Sequence, residues 1–172
     1  MQILKTIREE DLGFDLPIPE VFKERTAARV VCFDKDGKVG FLYSTTHHFR
    51  KLPGGGVENG EDILESLKRE SREELGCNIE NPKEIGIIDE YFNKWEVHQQ
   101  SLYFTANLIG EKGEPNLIGY EIEHAYKACW DYIDNVIRDF ELELGTNYSY
   151  GGKHVLTRDL IALKETKKLM NL

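Results

Sequence analysis

Apolar positions along this chain recur at two periods, near two and near three to four residues, and the switches between them mark its elements. Met1 to Ile7 reads as a short strand, followed by an acidic connector through Pro17 and Pro19 that no central strand would hold. Ala27 to Phe33 and Val39 to Tyr43 are β-rich runs on either side of Asp34-Lys35-Asp36-Gly37, which predicts a hairpin. Leu52 to Gly60 is a glycine loop, and the spacing after it predicts a helix over Asp62 to Leu75 closed by Gly76. Glu84 to Tyr91, Ser101 to Leu108 and Ala125 to Trp130 read as strands, with a turn over Gly110 to Pro115. Asp131 to Phe140 has helical spacing with Asp131 as its cap. Val155 to Met170 predicts a last helix, with Lys164, Lys167 and Lys168 near its negative end. Strands interleaved with helices predict an α/β fold with a mixed sheet and helices on its faces. No repeat or linker interrupts the pattern, so residues 1–172 are read as one domain.

Composition narrows this picture. Hydrophobic residues make up 40% and charged residues 31% of the chain, the mixture of a globular domain. No apolar run is long enough for a membrane span, and the charged start is not that of a signal peptide. Cys32, Cys77 and Cys129 are odd in number and far apart, which argues for reduced thiols and a cytoplasmic location rather than a disulfide framework. A net charge of −9 argues against a long nucleic-acid partner, although a bound divalent cation would still admit a small phosphorylated ligand.

The chemistry concentrates between Pro53 and Gly76. Glu70, Glu73 and Glu74 stand at i, i+3 and i+4, on one face of the predicted helix. Like charges that close repel, and a hard divalent cation, Mg²⁺ or Mn²⁺, relieves the repulsion through carboxylate oxygens. Ile63, Leu64, Leu67 and Leu75 form the apolar side that fixes the helix to a sheet, with Ser71 as a small residue permitting close approach. Arg69 and Arg72 either hold the neighbouring acids or reach a phosphate. Gly54, Gly55 and Gly56 let backbone approach a ligand and offer carbonyls to a metal, and no Gly-Lys-Ser/Thr step is present to make them a P-loop.

Gly55, Glu61, Arg69, Glu70, Glu73, Glu74, Gly76 and Cys77 occupy, at the right spacing, the positions of the Nudix box, and the segment resembles that of the Nudix (MutT-like) hydrolases. Ser71 departs from it, an apolar residue being usual there. The resemblance implies a Nudix-type α/β/α sandwich and hydrolysis of a phosphoanhydride bond in a small nucleotide or nucleoside diphosphate derivative, with Mg²⁺ or Mn²⁺. It implies Glu70, Glu73 and Glu74 as metal ligands, Gly54 as a carbonyl donor, and Glu61 as a ligand through water or as the residue orienting Arg69. The family usually supplies one more acid ahead of a later tryptophan, and Glu123 or Glu121, before Trp130, fills that role. Glu70, Glu61, Arg69 and Glu123 are thus the candidate catalytic residues, and Arg50, Lys51, Gly55 and Arg72 the candidates for substrate contact.

Other features carry two readings each. His47, His48, Arg50 and Lys51 form a surface turn or a phosphate-meeting cluster. Phe49, Tyr91, Phe92, Trp95 and Trp130 are core aromatics or a base-stacking wall, and Tyr148 and Tyr150 lie in a Gly-containing loop. The competing function is a nucleotide-binding module with weak turnover, and the complete acid set favours the enzyme. Tyr91-Phe92-Asn93 carries no substrate marker, and either a monomer or a homodimer is consistent with the sequence.

Overall fold

A computed structural model describes residues 1–172, the side chain of Tyr120 excepted. Its centre is the strand β2 (Lys23–Phe33), buried at every position from Ala27 onward. Strand geometry sends alternate side chains to opposite faces. Val31 and Phe33 therefore join one apolar layer with Val136 and Phe140 of α3 (Ile133–Thr146) and Leu156 and Leu163 of α4 (Tyr150–Met170). Ala28, Val30 and Cys32 join the other, with Leu67 and Leu75 of α1 (Ile63–Leu75). Two helical layers on the two faces of one sheet make the α/β/α sandwich that was expected. Leu67 is fully buried, a transfer worth about 2 kcal/mol. Leu64, expected on the same side, is instead 43% exposed.

The sheet runs β1 (Ile3–Ile7), β6 (Asn78–Phe92), β7 (Val97–Ile109), β2, β3 (Lys38–Ser44), β4 (Phe49–Lys51). The short strand β5 (Gly54–Gly56) pairs with β2, and β8 (Tyr126–Tyr132) with β3. β2 lies parallel to β7 along its whole length, from Lys23 opposite Val97 to Phe33 opposite Asn107. The expected hairpin is therefore a partial one. Asp34 Oδ1 accepts from the Asp36 and Lys38 amides and closes the turn, but β2 and β3 pair only at Phe33 and Val39. Beyond that point β3, paired with β8 along its whole length, turns to β4 at Leu42 to Ser44, and β5 takes the vacated edge opposite Ala27, Ala28 and Arg29. So Gly54–Gly56, expected as loop, is strand, because β2 has unpaired backbone to satisfy there.

Several boundaries also differ: β2 begins at Lys23 and β7 at Val97, four residues before Ala27 and Ser101, and α3 runs on to Thr146. β6 begins six residues before Glu84 and passes through Pro82, where the β6–β7 register slips between Glu80 and Lys83. A proline is tolerated at such a bulge because no ladder amide is needed. Asp131 belongs to β8, and Tyr132 is the N-cap of α3; the Asp131 carboxylate instead accepts from the Tyr132 amide and Asn135. α4 starts at Tyr150, capped by the Ser149 hydroxyl, which accepts from the Gly152 amide.

Candidate active site

α1 carries the acids, and its ends are strongly specified. Asp62 caps it by accepting from the Leu64 and Glu65 amides, while the Glu65 carboxylate accepts from the Asp62 amide. Such a capping box is worth about 1 kcal/mol. Gly76 closes the helix in the left-handed region, its amide donating to the Arg72 carbonyl. Ser71 is completely buried, and its hydroxyl donates to the Leu67 carbonyl at 2.7 Å, so this polar side chain is accommodated inside the apolar layer.

The repulsion among the acids is met here by two cations of the chain itself. Arg69 forks onto Glu61 at 2.9 and 3.1 Å and also donates to Glu70 at 2.8 Å, to Glu73 at 3.1 Å and to the Gly56 carbonyl. The Arg69 guanidinium holds the Glu61 carboxyl well below the usual range, at about 2. Lys51 Nζ lies 2.6 Å from Glu74 Oε1 and 3.2 Å from Glu121 Oε1. The other Glu74 oxygen accepts from the Gly54 amide at 2.7 Å. Burial raises the pKa of Glu70, reinforced by the charge of Glu74; burial also raises that of Glu74. Glu70 is pressed against the glycine strand: a Cβ on Gly55 would stand 2.2 Å from Glu70 Oε1.

Glu58, Glu70, Glu73, Glu74 and Glu121 line one cavity of about 270 Å³, with Gly54, Gly55 and Gly56 along its wall. Among the described residues no three acids converge as a ready-made cage, each being turned to Arg69 or Lys51. The donor set is nonetheless all carboxylate and carbonyl oxygen on a rigid helix and strand, which fits a hard divalent cation. Gly54 carbonyl accepts from Arg29 at 2.9 Å and keeps a second lone pair. Of the two later acids, Glu121, on the short helix α2 (Tyr120–Glu123), faces the cavity, whereas Glu123 is exposed and does not line it.

A larger cavity of about 560 Å³ adjoins the first and shares Arg25, Gly54, Gly55 and Glu121 with it. Phe49, Phe92, Trp95 and Tyr126 form apolar walls, and Arg25, Arg29, Lys51 and Arg158 contribute cations. Arg29 and Arg158 are buried and fixed from below, Arg158 lying 3.6 Å from Glu90 and 3.2 Å from Asp159. Tyr103 donates to Asp159, and Gln99 and Ser101 donate to Glu90, so the floor is preorganised. The segment before β2 braces the rim. Buried Glu9 accepts from the Asn93 amide and the Tyr150 hydroxyl, tying the β6–β7 turn to the start of α4.

Of the expected substrate contacts, Lys51 and Gly55 line these cavities. Arg50 does not: it is turned to Asp139 and Glu143 of α3, and Glu143 also accepts from its backbone amide. Arg72 is exposed and lines neither. Arg25, Arg29, Arg158 and Gln99 escaped sequence reasoning, since two strands distant in sequence, β2 and β7, and the helix α4 bring them together. A buried-looking arginine within the apolar run of β2, Arg29, was the one available signal.

The NUDIX domain matches residues 23–144, and the chain belongs to the Nudix (MutT-like) hydrolase family. Its class chemistry is the hydrolysis of a pyrophosphate bond. It is 27% identical over 150 residues to an RNA pyrophosphohydrolase of Pelagibacter ubique, covering 77% of this chain and 93% of that one. An uncharacterized Nudix hydrolase of Bacillus subtilis, YvcI, is 27% identical over 116 residues, 63% of this chain and 73% of the relative. Among solved structures, the MutT protein of Bacillus halodurans superposes with a TM-score of 0.55 at 26% identity, covering 79% of this chain and 82% of that chain. The fold alone is shared with a NUDIX hydrolase of Nitrosomonas europaea, at a TM-score of 0.58 and 18% identity over 80% of this chain and 88% of that chain.

Proposed function

We propose that this chain, as a single domain over residues 1–172, hydrolyses a phosphoanhydride bond in a small nucleotide or nucleoside diphosphate derivative, with Mg²⁺ or Mn²⁺. The observation that carries this reading is the continuity of the two cavities: the acid-lined one opens into one with aromatic walls and a cationic floor. Glu70, Glu73, Glu74 and the Gly54 carbonyl are the residues that would hold the cation, with Glu121 rather than Glu123 as the additional acid. The cation, when bound, neutralises pyrophosphate charge and activates water. Glu70 takes the proton of the attacking water. Arg69 fixes the Glu70 carboxylate, and Glu61 fixes Arg69. Lys51 and Arg25 meet the phosphates at the junction of the cavities, and Phe49, Phe92, Trp95 and Tyr126 enclose the rest of the substrate.

A second reading, favoured by the similarity to an RNA pyrophosphohydrolase, is that the substrate is the phosphorylated 5′ end of an RNA. The net charge of −9 supports the small nucleotide instead. A panel of nucleoside triphosphates, dinucleotides, nucleotide sugars and a 5′-triphosphorylated oligoribonucleotide, assayed with Mg²⁺ for phosphate or pyrophosphate release, separates the two. Turnover of the free nucleotides well above the oligoribonucleotide is expected; preference for the oligoribonucleotide installs the second reading. No release from any of them, with Mg²⁺ or Mn²⁺, reduces the chain to a binding module.

A further inference from the structure

Lys51 is a lysine in an unusual position. It ends β4, is 8% exposed, and points its ammonium into the junction between the two cavities. Its ion-pair partners are Glu74, 3% exposed, and Glu121. Glu74 has both oxygens committed, one to Lys51 and one to the Gly54 amide. Hence a cation reaching Glu74 must share an oxygen with Lys51 or with the Gly54 amide, and at either oxygen it meets the like charge of the Lys51 ammonium. Breaking a buried ion pair without replacement leaves an uncompensated charge, which is costly. Arg69 differs, since its fork on Glu61 stays intact whatever Glu70 and Glu73 bind. Lysine is also a compact charge on a flexible stem, suited to moving where an arginine fork is not.

Resting on the reading of Glu74 as a metal ligand, we infer that Lys51 is a tethered cation that holds the metal's place between Glu74 and Glu121 and transfers to the substrate's phosphate when a divalent cation arrives. The exchange keeps every charge compensated. Glu74 and Glu121 pass from ammonium to metal, and the ammonium passes from carboxylate to phosphate across the shared wall at Gly54 and Gly55. It follows that metal and phosphate ligand help one another to bind through Lys51, beyond their direct attraction, and that Lys51 weakens the binding of metal alone.

Calorimetric titration with Mn²⁺ of the wild type, Lys51→Met and Lys51→Arg tests this. Lys51→Met is expected to bind Mn²⁺ about tenfold more tightly than wild type, within the range usual for coupled sites, and Lys51→Arg, which keeps the positive charge, to show no tightening. With Mn²⁺ present, imidodiphosphate is expected to bind Lys51→Met about tenfold more weakly. Equal or weaker Mn²⁺ binding by Lys51→Met, or equal tightening in Lys51→Arg, overturns the inference while leaving the metal reading in place. A wild type that takes up no Mn²⁺ overturns both. Should Lys51→Met not fold without metal, reductive methylation of the wild type followed by peptide mass spectrometry decides. Lys51 is expected to be protected without Mn²⁺ and labelled with it, and labelling that ignores Mn²⁺ overturns the inference.

Discussion

The two adjoining cavities are built on opposite principles. The acid-lined one is small, and most of its charged groups come from one helix, α1, joined by Glu58, Glu121 and Arg25. Its carboxylates outnumber the two cations that answer them, Arg69 and Lys51, so their repulsion is only partly relieved until a further cation enters. The larger one draws on strands β2, β4, β6, β7 and β8 and on α4; of its buried cations Arg158 is already compensated by Glu90 and Asp159 beneath it, and Arg29 is held by Ser101 and the Gly54 carbonyl. An unrelieved site does chemistry, because the stabilisation it lacks in the ground state is supplied as the reaction proceeds. A satisfied site selects, because its groups do not move when a ligand arrives. Damage to the first should therefore appear in kcat, and damage to the second in KM.

The sharpest test is Glu70→Gln. Loss of the base is expected to lower kcat by about 10² to 10⁴. Burial and Glu74 already disfavour the Glu70 charge, so the metal-free melting temperature should hold or rise. An active Glu70→Gln protein would remove the acid cavity from the chemistry.

Gly55→Ala probes the same cavity without touching an acid. The new Cβ would stand 2.2 Å from Glu70 Oε1, so the carboxylate must swing aside. A displacement of about 1 Å in a reacting group costs on the order of 10² in rate, and kcat should fall by that order with the fold intact. Wild-type turnover would show that the close approach of Gly55 to Glu70 has no catalytic value.

In the larger cavity, Trp95→Ala removes a wall residue that is 53% exposed and so contributes little to folding. Stacking on an aromatic side chain is worth about 1–3 kcal/mol, so KM should rise about tenfold or more with kcat unchanged. A fall in kcat instead would erase the distinction between the two cavities.

The smallest effect lies beneath the floor. His154 is completely buried against Phe92, 4.0 Å from Glu90, and neither ring nitrogen has a hydrogen-bond partner among the described residues. Burial, with Arg158 beside it, lowers its pKa to about 3. The folded protein thus keeps His154 neutral where the unfolded chain takes up a proton, from about pH 6.5 downward. Stability is lost as the pH falls through that window, by up to about 1.4 kcal/mol per pH unit from this group. Urea unfolding of wild type and His154→Leu between about pH 7 and pH 4 should show the shallower loss in the variant. Parallel curves would mean that another group carries the acid sensitivity.

Much of α1 was legible because its information is local. The Asp62 cap, the Gly76 stop and the i, i+3, i+4 spacing of the acids act within a few residues of one another. The strand at Gly54–Gly56 was not legible, because three glycines have no strand preference and become strand only where β2 leaves an edge unpaired. Arg50 read as a phosphate contact by its closeness in sequence to the glycine loop. The alternation of β4 sends it to the opposite face from Lys51, where Asp139 and Glu143 of α3 receive it. Which of Glu121 and Glu123 lines the cavity turned in the same way on the two-residue helix offset that faces one to the cavity and the other to solvent.

What the sequence determined by itself was the layered α/β/α arrangement and the acid helix with its glycine approach, since periodicity, capping and side-chain spacing along one element are properties of neighbouring residues. What only the tertiary structure decided was which cations answer those acids and what lines the larger cavity beside them. Lys51 meets Glu74 across 23 positions, and Arg25 meets Gln99 across 74. Contacts at such separations depend on how β2, β4 and β7 are ordered in the sheet, and strand order is set by the burial of the whole chain rather than by any segment of it.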